Sequence, residues 1–311
     1  MTEKRQLCIG TRGSALALWQ AEWVKSRLLA LHEDLAVELV VIKTTGDKIL
    51  DVPLAQVGGK GLFVKEIEEA LLEGRADLAV HSVKDMPAEL PEGLHLAVMP
   101  PREDPRDALI SKNGVGLDTL PHGARIGTSS LRRSAQLLHL RPDLRIETLR
   151  GNVDTRLRKL DSEGLDAIVL AAAGLKRMEL SHVISEYLEP ERILPAVGQG
   201  ALGIETRTGD RFTNEMVASL AHQQTMTTVG AERAFLKRLE GGCQVPVGAH
   251  GTLEGENLIL TGVVADLKGV RMIRKELRGD ARQPEVVGER LAEVILESGG
   301  AEILTEIYGS Q

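Results

Sequence analysis

Three groups of residues in this sequence have types and spacings suited to chemistry, and all of them fall in turns. In LEGGCQVPVG, Leu239 to Gly248, the thiol of Cys243 follows two glycines and precedes a proline. Structural cysteines usually sit inside apolar strands, whereas this one lies where a bulky group can approach the sulfur. Either the position is incidental or the sulfur is used.

The second group is rich in arginine. TRGS supplies Arg12 and Ser14, and TSSLRR supplies Thr128, Ser129, Ser130, Arg132 and Arg133. LRGNVDTRLRK adds Arg150 and Arg156. Each turn leads into a helix, whose first N–H groups and hydroxyl caps form an anion site. Capping alone needs no arginine. The guanidinium fork pairs with carboxylate or phosphate, at about 1.5–3 kcal/mol per charge-assisted contact. A solvated face accounts for Arg158 and Lys159.

The third group is Lys84–Asp85, at the end of the apolar run LAVHSV. Strand ends of an α/β sheet face the ligand crevice. A carboxylate there can move protons or steady a developing cation. The alternative is an ordinary Lys–Asp pair on a surface turn.

Charge favours a focused anionic ligand. The chain of 311 residues carries a net −7, yet Pro121–Leu160 holds nine basic residues against three acidic ones, a local +6 that leaves −13 elsewhere. A nucleic-acid groove would make a whole domain basic and interleave aromatics, and there are only three Phe, two Trp and two Tyr. No nucleic acid is expected. The eight histidines show no metal-ligand spacing, there is no CxxC, and no apolar run reaches about 18 residues, so neither metal nor membrane is expected. MTEKRQLCIGTRG passes from charged residues straight into a strand-like run, which points to the cytoplasm. Cys8, in LCIG, fits a core strand.

The elements that position these turns read as alternating strands and helices. QLCIG is a strand, Ser14 opens an amphipathic helix to Leu31, LAVELVVIKTT is a strand, KEIEEALLEG is a helix capped by Gly74, and ADLAVHSV is a buried strand. This rhythm predicts a mostly parallel sheet with helices on both faces. IGTRGSALAL at Ile9 is echoed by IGTSSLRRSAQLL at Ile126, and LLEGRADLAV at Leu71 by LDSEGLDAIVLAA at Leu160. Two α/β domains of one design follow from this order. MPPREDPRDALI and ILPAVGQGALGIE read as the crossings between them. Three strands with turns at Glu254–Asn257 and Asp266–Gly269, then a helix across PEVVGERLAEVILES, make a small α+β domain with Cys243 at its entrance. The division expected is 1–99 with 200–218, then 105–194, then 222–311. Gly198–Gly203 matches GxGxxG but follows Pro195 rather than a strand and lacks a βαβ unit. The glycine-rich KILDVPLAQVGGKGLF suits a lid from which Lys60 reaches an anion.

IGTRGSALALWQA, VHSVKDMP, IGTSSLRRSAQ, LRGNVDTRL and GGCQVPVG, in that order, resemble the porphobilinogen deaminase (hydroxymethylbilane synthase) family over essentially the whole chain. The resemblance implies two similar periplasmic-binding-protein-like α/β domains flanking a cleft, with a third domain presenting the cysteine. It implies a monomeric transferase of tetrapyrrole and heme biosynthesis. A dipyrromethane cofactor would be attached to Cys243 through a thioether and would prime head-to-tail addition of four porphobilinogen molecules. Each addition loses ammonia, and hydrolysis then releases the linear tetrapyrrole. The partners would be porphobilinogen and the growing polypyrrole chain. By the same resemblance Asp85 is catalytic. Lys84, Thr128, Ser129, Arg132 and Arg133 would hold cofactor carboxylates. Arg12, Ser14, Lys60, Arg150, Arg156 and Arg177 would serve substrate or the elongating chain. Related sequences often carry lysine in the lid where this one has Gln56, and Phe63 would pack near the pyrroles or in the core. A rival reading remains, a two-domain binding protein for a small anion with no use for Cys243 or Asp85.

Overall fold

The computed structural model describes residues 5–48, 64–239 and 245–309. The chain divides into two units, 1–103 with 201–226 and 104–200 with 227–311. Both divisions near 103 and 200 fall in segments read above as crossings.

In the first unit, β1 (Arg5–Thr11), α1 (Ala15–Leu31), β2 (Leu35–Val41), a single turn α2 (Thr45–Lys48), α3 (Lys65–Leu72), β3 (Leu78–Ser82) and β4 (Leu94–Val98) follow one another. In the second come β5 (Asp107–Ser111), β6 (Arg125–Gly127), α4 (Leu131–Leu140), β7 (Arg145–Glu147), α5 (Val153–Ser162), β8 (Ala167–Ala171), α6 (Ala172–Arg177) and β9 (Glu186–Leu188). The chain returns with β10 (Leu202–Arg207), α7 (Arg211–Ala218) and α8 (Gln223–Arg238). It closes with β11 (Val247–Glu254), β12 (Asn257–Ala265), β13 (Met272–Asp280), α9 (Pro284–Ile295) and α10 (Ala301–Gly309).

The sheet of the first unit has the order β2-β1-β3-β10-β4 and that of the second β7-β6-β8-β5-β9. In each sheet four strands run one way, as expected of a mostly parallel sheet, and one is reversed. β1 pairs parallel with β2 and β3, and β6 with β7 and β8. β10 pairs antiparallel with β3 and β4, and β5 with β8 and β9. The reversed strand in each sheet is the first one after a crossing, so its direction is not set by a local βαβ unit. Sequence periodicity carries no information about that reversal.

The echoes correspond to matched elements. Ser14 caps α1 by accepting from Ala17 N, and Ser130 caps α4 by accepting from Arg133 N. Gly74 (φ 72°) and Gly164 (φ 65°) take the left-handed conformation after α3 and α5, which a side chain would oppose. Helices cover both faces of each sheet. In the first unit Val24 and Leu28 of α1 pack with Leu78, Val80 and Ile204, while Ile67 and Leu71 of α3 pack with Ala79 and Leu94. The three C-terminal strands form an antiparallel meander under Phe235, Leu291 and Ile295. One helix is expected after the meander, whereas the chain forms a second, α10, after a kink at Gly299 (φ 104°). Among the described residues no helix is long and apolar enough to cross a membrane, and no cluster of His, Cys, Asp or Glu could hold a metal ion.

Candidate active site

In the first unit β1 and β3 are parallel neighbours, with Ile9 opposite Leu78 and Gly10 opposite Ala79. Their carboxyl ends therefore leave the same sheet edge, and Arg12 and Asp85 leave with them. Gln20 of α1 donates to Ser82 Oγ at 2.9 Å, tying the helix to the end of β3. A single 3-10 turn, Val83–Asp85, buries Val83 as its anchor and leaves Asp85 exposed, with Lys84 half-buried between them. Arg12, Ser14, Gln20, His81, Ser82 and Asp85 form the polar lining of an open cleft. Leu16, Ala17, Val64, Ile67 and Val80 supply its apolar wall.

Behind this wall lies a group that the sequence reading does not single out. His81 and Glu205 are buried and joined Nε2 to Oε2 at 2.9 Å. Glu68 of α3, 7 % exposed, faces them. Burial, with the Glu205 charge adding to it and His81 opposing, pushes the Glu68 carboxyl up to about 7. Glu68 Oε1 and Glu205 Oε1 are buried with no hydrogen-bond partner among the described residues. The signal lay in HSVKD and GIETR, two strands carrying a charged residue at an inward position.

In the second unit β6, β7 and β8 run parallel, so Thr128–Ser130, Arg150–Asn152 and the start of α6 share one edge. Ser129 Oγ donates to Leu149 O at 2.7 Å, joining the first two turns. Arg132 and Arg133 are both buried, and Asp107, 0 % exposed, lies between them. Arg132 Nη1 donates to Asp107 Oδ2 at 2.8 Å and to Leu194 O at 2.6 Å. Arg133 donates to Asp107 Oδ1 from Nε and Nη2 at 2.9 and 2.7 Å, and to Val169 O from Nη1 at 3.0 Å. Gln199, inside the GxGxxG match, donates to Asp107 Oδ1 at 2.9 Å and to Pro105 O at 2.7 Å, so that motif is a turn serving this network. Burial alone would raise Asp107, but the two guanidiniums overcome it and hold the carboxyl well below the usual range. Burial likewise pulls Arg132 down against the opposing pull of Asp107.

Among the described residues, two guanidiniums against one carboxylate leave one positive charge in this network. Arg133 is committed to protein acceptors on all three nitrogens, whereas Arg132 Nε is buried with no partner among the described residues. Arg150 Nε has the same status. Arg156 donates to Gly151 O at 2.7 Å and Arg177 to Gly200 O at 2.7 Å.

Cys243, Lys60, Gln56 and Phe63 lie outside the described residues. The described chain resumes at Val245. A Cβ on Gly248 would stand 2.7 Å from Pro195 O and 3.1 Å from Arg132 Cδ, so only a bare backbone fits against that arginine. Cys8 sits on β1, half-buried; burial, then Asp77 and Glu38, push its thiol up, away from nucleophilic use.

A family model described as "Porphobilinogen deaminase, dipyromethane cofactor binding domain" matches residues 7–215, and one described as "Porphobilinogen deaminase, C-terminal domain" matches residues 226–297. A porphobilinogen deaminase of Syntrophotalea carbinolica is 60% identical over 301 residues, 97% of this chain and 96% of the relative. One of Pelobacter propionicus is 58% identical over 304 residues, 98% of each. Among solved structures, a YaeC-family lipoprotein of Enterococcus faecalis aligns at 13% identity and a TM-score of 0.43, over 77% of this chain and 98% of that one.

Proposed function

Because this chain belongs to the porphobilinogen deaminase family, a transferase family with a dipyrromethane-binding domain, we propose that its two strand-edge sites divide one reaction between them. The second unit holds the cofactor and the first performs the condensation. The enzyme joins porphobilinogen molecules head to tail with loss of ammonia and releases the linear tetrapyrrole.

The observation that carries this division is the buried net positive charge at Arg132, Arg133 and Asp107, with Gly248 packed on Arg132. The donor set fits a ligand bearing carboxylates. Arg132 Nε and Arg150 Nε are buried donors with no partner among the described residues, and Thr128, Ser129 and the first N–H groups of α4 complete an anion site. Cys243, five residues before Gly248, is within about 17 Å of it along the chain, and is the proposed thioether attachment point. When bound, the dipyrromethane supplies the pyrrole end on which the product is built. Arg132 contacts its carboxylates directly, and Arg133 holds Asp107 and Arg132 in place.

In the first unit the work falls to Asp85. When the C–N bond of porphobilinogen breaks, its electron pair leaves with ammonia and the methylene carbon becomes cationic. The exposed Asp85 carboxylate stabilises that cation and accepts the proton lost from the attacked ring carbon once the new C–C bond has formed. Arg12 and Ser14 hold substrate carboxylates around it, and Lys84 holds a cofactor carboxylate. Arg150, Arg156, Arg177 and Lys60 serve substrate or the lengthening chain. We also propose that the division 1–99 with 200–218, 105–194 and 222–311 describes the working domains, and that the enzyme is a cytoplasmic monomer acting without nucleic acid.

Intact mass of the purified protein and of Cys243→Ser tests the assignment. An excess of two linked pyrroles, absent in the variant, supports it. An unmodified parent that folds and releases no ammonia from porphobilinogen overturns it and favours a non-catalytic anion-binding protein.

A further inference from the structure

The charged group behind the cleft has no part in the chemistry above, yet His81 belongs to both. It lines the same cleft as Asp85 while its Nε2 is held by Glu205 at 2.9 Å. Register explains the arrangement. His81 lies opposite Gly203 and Ala79 opposite Glu205, so His81 and Glu205 are diagonal neighbours on one sheet face, the face covered by α3. Glu68 comes down from α3 onto the pair.

Burying two carboxylates beside one imidazole is costly unless the surplus is neutralised. Here one oxygen of each glutamate has no partner among the described residues. The remaining neighbours do not compensate. Glu69 on the same helix is also acidic. Arg207 of β10 is occupied by Leu71 O, Ala76 O, Asp77 and Asp210. β4 presents Leu94, and β1 presents Gly10 and, by its alternation, the thiol of Cys8. A purely structural role would be served better by apolar residues of the same volume.

We propose that Glu68 is a positioning residue for the condensation: loss of its proton makes the His81–Glu205–Glu68 cluster one unit more negative and so stabilises the cation formed in the cleft beside it. The effect does not depend on the charge state of His81, because each proton lost from Glu68 changes the sum by one. It acts through the wall formed by His81 and Ile67 and requires no contact with substrate. The inference rests on the assignment of condensation to the Asp85 cleft.

The test uses the cofactor-bearing protein and the variant Glu68→Gln, which keeps the shape and removes the charge. Carboxyl-labelled glutamate followed by carbon NMR, without substrate, should show one group titrating near neutrality in the parent and none there in the variant. For porphobilinogen, the parent's kcat/KM should rise through the same range. The variant should match it near about pH 6 and fall about tenfold below it near about pH 8.5. A variant depressed equally at every pH, or equal to the parent at every pH, overturns the proposal, as does the lack of a neutral-range carboxyl. Should Glu68→Gln fail to fold, Glu205→Gln supplies the same comparison: its expected result is a downward move of the Glu68 titration, and an unmoved titration overturns the cluster. A parent that folds and carries its cofactor but releases no ammonia is a separate result, since it refutes the deaminase assignment while leaving the carboxyl titration readable.

Discussion

Replacing Asp107 by asparagine removes the carboxylate that bridges two buried guanidiniums. Asp107 is 0 % exposed, and Arg132 and Arg133 reach it at 2.8 and 2.7 Å. The substitution leaves two buried positive charges without a counter-charge and turns an amide NH₂ toward donors that need an acceptor. Removing one partner from such a group costs about 3–5 kcal/mol. At about 2–4 °C per kcal/mol, the unfolding midpoint of the second unit should fall by about 6–20 °C. The depressed Asp107 carboxyl sets the pH dependence. Its stabilisation is complete above the ordinary carboxylate range and is lost only as pH falls through its lowered value, so the difference between parent and variant is constant from about pH 5 to 8. Urea unfolding followed by circular dichroism measures it, on Cys243→Ser protein and on cofactor-bearing protein. If the cofactor's carboxylates are held by Arg132, they replace part of the missing charge, and the loss should be smaller in the cofactor-bearing protein. A loss within about 0.5 kcal/mol of zero would refute the argument that this network is a buried charge receptor, and equal losses in both proteins would refute the assignment of Arg132 to the cofactor.

The raised carboxyl of Glu68 has a consequence for stability as well as for rate. Moving from 4.5 to about 7 on folding, it contributes stability that is fully present below the unfolded value and is lost as pH rises to about 7, by about 3 kcal/mol; Glu68→Gln should lack that slope in urea titrations between those limits. Asp85→Asn should keep its cofactor mass and substrate binding while single-turnover ammonia release slows by about a hundredfold or more, and an unchanged rate would remove Asp85 from the chemistry. Gly248→Val places methyl groups where a Cβ already meets Pro195 O at 2.7 Å. It should destabilise the second unit by about 1–3 kcal/mol and reduce the fraction of protein carrying the cofactor mass.

The turns that bear the site were legible because helix starts are written locally. Ser14 and Ser130 are capping residues in sequence and in structure, and the glycines after α3 and α5 mark the same stop twice. The arginine-rich composition of Pro121–Leu160 was equally visible, but not its use. Sequence alone does not distinguish Arg133, whose three nitrogens donate to Asp107, Val169 and Gln199, from Arg132, whose Nε has no partner among the described residues, because those partners come from residues 26 to 66 positions away. His81 and Glu205 were hidden for the same reason. They meet only because β10 enters the sheet beside β3, a pairing 124 residues apart. Strand reversal at β5 and β10 went unread because period-two patterning is identical for parallel and antiparallel neighbours.

The position of β10 also governs how the protein can be made. The sheet of the first unit has β3 and β4 on either side of it, and β4 ends at Val98 whereas β10 begins at Leu202. On the ribosome, at about 5–20 residues per second, the place between β3 and β4 stays open for about 5–20 s after β4 has emerged. The edges of β3 and β4 are unpaired throughout that interval, open to pairing with another nascent chain. The second sheet, with all five strands between Asp107 and Leu188, is completed before the first. The sheet of the first unit is thus the later of the two to close, and a fragment ending at residue 103 lacks the strand that closes its own sheet.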